Sequence, residues 1–150
     1  MPTKINSTPT ESQEQAALVT WFRLQHRALG VPSHFLLISS QAGAPLGGGQ
    51  GHARFARFAK LAAEGFVPGV PDLFLAVPRQ PYNGLWIEMK RTKGGKVSPQ
   101  QEKLHALLAA QGYAVAVCLG ADWAQQVIEF YLTANPALAG ALVRPVHLTD

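Results

Sequence analysis

Cysteine is nearly missing from this chain. The single Cys118 excludes an intramolecular disulfide, and nothing about it argues against a reducing cytoplasm. Histidine occurs five times, scattered, with no pair at i, i+4 and no Cys/His cluster of zinc-ligand spacing. No apolar run approaches the ~18 residues of a membrane-spanning helix, and no signal-peptide pattern opens the chain. Aspartate is scarce and no G-x-S-x-G occurs, so no Ser/His/Asp arrangement is suggested. Three consecutive glycines, 47–49, are followed by no GKS or GKT, which excludes a phosphate-binding P-loop.

What is present reads as one globular domain. Apolar residues make up 47% and charged residues only 15% of 150 positions, enough to bury a core. The net charge is +4, which favours an anionic partner, although many plain soluble proteins are as basic. Thr8-Pro9-Thr10-Glu11 fits a capping box with Thr8 at the N-cap, opening a helix whose inner stripe is Leu18, Trp21, Phe22 and Leu29, with Gly30 as its stop. HFLLISS (34–40) reads as a short buried strand. The Gly-rich stretch 41–51 is a loop, either a mobile element ordered by substrate or a plain connector. Residues 52–66 form a helix with Phe55, Phe58 and Leu61 inside. Its Arg54, Arg57 and Lys60 form a basic outer stripe, either solvated or in contact with phosphate.

The centre of the chain is GVPDLFLAVPRQPYNGLWIEMK (69–90). Asp72 precedes the apolar strand LFLAV; Pro78, Pro81, Asn83 and Gly84 break the chain; LWIEMK alternates as a second strand. Leu85, Ile87 and Met89 share one face, and Trp86, Glu88 and Lys90 share the other. If the strands pair as a hairpin, Asp72 approaches Glu88 and Lys90. Two carboxylates and one amine at a sheet end suit a divalent metal with a positioned cation beside it. Mg²⁺ or Mn²⁺ fits, since such an ion needs few protein carboxylates.

Downstream, Arg91, Lys93 and Lys96 lie in a glycine-containing loop, solvated or touching a nucleic-acid backbone. Ser98-Pro99-Gln100-Gln101 caps a helix with Leu104, Leu107 and Leu108 inward. His105 reads as a surface histidine or a phosphate contact. YAVAVCL (113–119) suits a central strand covered on both faces, and residues 122–132 a last helix with Trp123, Val127, Phe130 and Tyr131 inside. Residues 1–7 are loose, and 133–150 resist assignment. The order helix, strand, helix, strand, strand, helix, strand, helix gives an α/β fold: a small mixed sheet flanked by helices.

The pattern G-x-PDL…G-L-W-I-E-x-K…S-P-x-Q…G-Y resembles the VRR-NUC branch of the PD-(D/E)xK nuclease superfamily, and the likeness extends to about residue 131. The resemblance implies a restriction-endonuclease-like core and Mg²⁺- or Mn²⁺-dependent endonuclease activity on DNA. It points to small stand-alone phage or bacterial proteins, hence the cytoplasm of a bacterial or phage-infected cell. It further implies a homodimer that cuts branched DNA such as four-way (Holliday) junctions. The alternatives are a nuclease of flaps or duplex, or a DNA-binding module that keeps the fold without cutting. Asp72, Glu88 and Lys90 are then catalytic, with Asp72, Glu88 and the main-chain carbonyl of Met89 on the metal. Glu11 is implied as a further carboxylate facing the metal, against a capping role and against Glu14 one turn on. Gln15 is implied to position the site or a phosphate, and Gln101 to stand near the active centre or merely to cap Ser98.

Overall fold

A computed structural model of the chain describes residues 8–40 and 51–133. The expected N-terminal arm, most of the Gly-rich loop and the C-terminal tail lie outside the described residues. The elements are α1 (Glu11–Gln25), a 3-10 turn (His34–Leu36), β1 (Leu37–Ser39), α2 (His52–Ala63), β2 (Leu73–Leu75), β3 (Leu85–Lys90), α3 (Pro99–Ala110), β4 (Ala114–Leu119) and α4 (Ala121–Thr133). The α/β class and the element order are those expected. The sheet runs β1-β2-β3-β4, antiparallel across the first three strands and parallel between β3 and β4.

The register separates two faces. Leu73, Leu75, Leu85, Ile87, Met89, Ala114 and Cys118 are buried together with Leu18 and Phe22 of α1 and Ile128 and Tyr131 of α4. The opposite face carries Phe74, Trp86, Glu88 and Lys90, and α3 lies over it. On that face Phe74 stacks on Trp86 at 4.5 Å between ring centroids. Two parallel strands need a crossover between them. Here the crossover is α3, and it lands on the face that carries the charges.

Several elements depart from the sequence reading. The α1 N-cap is Thr10, not Thr8. Its box closes with Gln13, whose amide is accepted by the Thr10 hydroxyl at 3.2 Å while the Thr10 amide donates to the Gln13 side chain at 2.9 Å. T-x-x-Q competes with T-x-x-E two residues earlier, and it won. β1 is an exposed edge strand instead of a buried one. β4 is also an edge strand. Its unbroken apolar run records that helices cover both its faces, which says nothing about its place in the ladder.

Phe55 is 79% exposed and α2 buries no residue. The sheet's two faces are already covered by α1 with α4 and by α3, so α2 finds little apolar surface. Its Phe58 rests edge-on against Phe66 instead. In α3, Leu107 lies outside. In α4, Trp123 and Phe130 lie on one outer side, seven residues apart, while Ala124, Ile128, Tyr131 and Leu132 make the buried stripe. No helix among the described residues is long and apolar enough to cross a membrane.

This division predicts contrasting costs. Ile128→Ala, in the buried stripe, should lose about 2–5 kcal/mol, whereas Phe55→Ala on α2 should stay within about 0.5 kcal/mol of wild type. Urea unfolding of both variants measures the difference. A large loss at Phe55 would mean that α2 is packed in solution.

Candidate active site

Asp72 stands one position beyond the last β2–β3 pair, Leu73↔Ile87, and so opposite Glu88. Its main-chain carbonyl accepts from the Ser40 amide at 2.9 Å, which ties it to β1. Its Oδ2 accepts from the Met89 amide at 2.7 Å, which ties it to β3. The aspartate therefore spans three strands, with one carboxylate oxygen fixed and the other without a hydrogen bond among the described residues.

Glu88 is 2% exposed and Lys90 7%. A carboxylate so deeply buried must be partnered. Lys90 Nζ lies 2.7 Å from Glu88 Oε1, and Gln101 Nε2 donates to the same oxygen at 2.6 Å. Gln101 also closes the α3 capping box with Ser98, so its two expected roles are not alternatives. Its Oε1 caps the helix and its Nε2 reaches the carboxylate. The start of α3 is held close to the Asp72 loop by Gly69, at φ +87°. A Cβ there would stand 3.1 Å from the Gln100 main chain, so a larger residue would be strained at this φ and would press on the first turn of α3.

The second Glu88 oxygen, Oε2, is buried without a hydrogen-bond partner, as is His105 Nε2 at 3.7 Å. The structure departs from the expectation of a surface histidine at His105: its side chain is 13% exposed. The missed signal was its spacing. Gln101, Leu104, His105 and Leu108 fall at i, i+3, i+4 and i+7 and form the inward stripe of α3.

Burial, and after it the neighbouring Glu88 charge, raises the Asp72 carboxyl from 3.8 to about 6, against the opposing pull of the Met89 amide and Lys90. Glu11 adds to the rise, so its charge is felt at Asp72 although its side chain is exposed. Its competitor Glu14 is committed elsewhere. Glu14 Oε2 accepts the Ala121 amide at 2.8 Å and so caps α4. Gln15 is half-buried on the same helix. Met89 sends its side chain into the core, leaving only its main chain for the site. Arg54, Arg57 and Lys60 on α2 and Arg91, Lys93 and Lys96 after β3 are all exposed. Lys60 lies 3.9 Å from Glu64, an exposed i, i+4 pair.

Among the described residues no three His, Cys, Asp or Glu side chains converge on one point. The available donors are two facing carboxylates with an unpartnered buried oxygen and an unfavourable like-charge contact. A hard, oxygen-seeking divalent cation that keeps several waters fits this set, because it partners the oxygen and relieves the repulsion.

The Asp72 shift fixes the sign of a pH effect. Between 3.8 and about 6 the folded chain holds this proton while the unfolded chain has released it. Stability is therefore lost as pH rises through that window. Asp72→Asn should melt above wild type at pH 8 in EDTA, with the gap closing below pH 4. Equal melting temperatures at pH 8 would contradict the buried, crowded carboxylate.

The VRR-NUC domain model matches residues 9–122, so all three motif residues fall inside the match and most of α4 outside it. The match thus stops short of residue 131. Among solved structures, one described as a VRR_NUC domain protein is similar at 27% sequence identity and a TM-score of 0.68, over 86% of this chain and 93% of its own. No curated protein matches. Domains of this kind are generally nucleases that process DNA and usually use a divalent metal. With the family model covering most of its length and the fold agreeing, the chain belongs to the VRR-NUC domain family.

Proposed function

We propose that this chain is a Mg²⁺- or Mn²⁺-dependent, structure-selective DNA endonuclease that hydrolyses phosphodiester bonds in branched DNA such as four-way junctions, working as a homodimer. The observation that carries the reading is the facing of Asp72 and Glu88 across β2 and β3, with Lys90 ion-paired to Glu88 at 2.7 Å. Asp72, Glu88 and the Met89 carbonyl would hold the metal, with Glu11 facing it from α1. The metal when bound supplies Lewis-acid activation of water and neutralisation of charge on the phosphate.

The remaining work falls to side chains. Lys90, a compact cation on the Glu88 face, holds the attacking water near the phosphate and stabilises charge that develops there. Gln101 holds Glu88 in place, and Gln15 positions the site from α1. Arg91, Lys93 and Lys96 leave β3 directly after Lys90 and meet the nucleic-acid backbone beside the scissile bond. Arg54, Arg57 and Lys60 extend that contact along α2. Two copies related by a two-fold axis would present two such sites to two symmetry-related strands.

Asp72→Asn is the preferred inactive variant, because its fold should be at least as stable as wild type. End-labelled four-way junction, flap, single-stranded and duplex DNA should be incubated with each protein in Mg²⁺, Mn²⁺ or EDTA. Paired symmetric cuts in the junction, absent in EDTA and reduced at least ~10²-fold in Asp72→Asn, are expected. Metal-dependent cutting of flaps or duplex alone would retain the chemistry and remove the junction preference. Binding without any cutting would leave a DNA-binding module.

The basic loop has its own expected signature. Lys93→Ala and Lys96→Ala should each reduce the slope of log affinity against log salt by about 1, with little dependence on sequence. An unchanged slope would return these lysines to the role of solvated charges.

A further inference from the structure

Glu88 has four lone-pair positions to satisfy, two on each carboxylate oxygen. Lys90 and Gln101 both lie on Oε1, at 2.7 and 2.6 Å, so that oxygen is full. Anything else that Glu88 binds must use Oε2, which is buried and unpartnered. The polar atom that faces it is His105 Nε2, also buried and unpartnered, at 3.7 Å. Two orphaned buried atoms, one able to donate and one able to accept, are each costly alone and favourable together. The separation exceeds a hydrogen bond by a little under 1 Å, a gap that a small ring movement closes. Catalytic hydrogen bonds are commonly long before the ligand is bound.

We propose that His105 is a positioning residue for Glu88: carrying its proton on Nε2, it donates to Oε2 and fixes the carboxylate so that the remaining lone pair of Oε2 points at the metal. The inference rests on the metal-dependent reading given above. It makes α3 a two-point clamp. Gln101 holds Oε1 and His105, one turn later, holds Oε2, so rotation of the carboxylate is restrained from both sides. Partners that hold a ligating carboxylate or imidazole from behind typically change metal affinity by about 10–100-fold.

The test is Mn²⁺ binding by the full chain, followed through the spin-resonance signal of free Mn²⁺, with no DNA present. His105→Phe keeps a ring of similar size and removes the donor; its dissociation constant should rise about 10–100-fold. His105→Gln restores a donor and should return binding to within about threefold of wild type. A folded Phe variant that binds as wild type does overturns the inference. Loss in both variants also overturns it, because it makes the imidazole a ligand of the ion. Spin-echo modulation of Mn²⁺-loaded wild type decides the same point without any variant. No directly coordinated nitrogen is expected, and its presence would refute the positioning role. If wild type binds no Mn²⁺ at all, the metal reading itself falls and the inference with it. Wild-type binding with unchanged variants sinks the inference alone.

Discussion

A carboxylate inside a β-sheet has to be satisfied by its surroundings, and much of this fold is arranged around satisfying Glu88. At 2% exposure it has lost nearly all contact with water. Removing one partner of such a buried pair typically costs about 3–5 kcal/mol. Lys90 alone cannot complete its hydrogen bonding. The rest comes from α3, which must therefore lie across the polar face of β3. Topology delivers this: β3 and β4 are parallel, the chain must cross over between them, and α3 is the crossover. The glycines around it are fitted to that seat. Gly69 lets the Asp72 loop pass against the first turn of α3, and Gly95 lies where a Cβ would come within 2.8 Å of Lys90 Cβ.

The two faces of the sheet divide the work. The face toward α1 and α4 is built from the apolar residues of β2, β3 and β4 and supplies the burial that stabilises the chain. The face toward α3 carries the Glu88–Lys90 pair and Asp72, whose raised pKa makes its charge oppose stability at neutral pH. Glu14 links the two halves. By capping α4 it holds α1 against the core, and that placement puts Glu11 within electrostatic reach of Asp72. Natural chains commonly tolerate local destabilisation at a site when the core elsewhere is sufficient.

The parts of this arrangement that depend on short-range pattern were legible in the sequence. LWIEMK has period-2 spacing, and the two faces it implies, Leu85, Ile87 and Met89 against Trp86, Glu88 and Lys90, are those of β3. Ser98 with Gln101 specifies a cap, and the cap is there. What misled were apolar residues whose burial depends on distant surface. Phe55, Trp123 and Phe130 have helical spacing suited to a core, but the sheet offers α2 little and meets α4 on another side. Nor does the apolar run of β4 distinguish a central strand from an edge strand covered by two helices. His105 was misread for the opposite reason: a histidine looks like surface until its partner on another element is known. The spacing from Gln101 is visible, but the carboxylate that His105 faces belongs to β3, a separate element.

The charges of the site and of the chain have opposite signs, and this bears on the nuclease reading. The chain carries a net +4, and the exposed basic residues of α2 and of the loop after β3 attract a polyanion from a distance. Within the site, Asp72 and Glu88 face a single lysine, and Glu11 adds to the excess of negative charge. A phosphate drawn in by the outer residues would be repelled at the last step unless a cation offset the carboxylates. Binding DNA and cutting it therefore make different demands on this chain. On the proposed reading the first would fall to the exposed lysines and arginines, whose contribution salt weakens. The second would call for a divalent ion at Asp72 and Glu88, where the groups are partly shielded from water and bulk salt screens them far less.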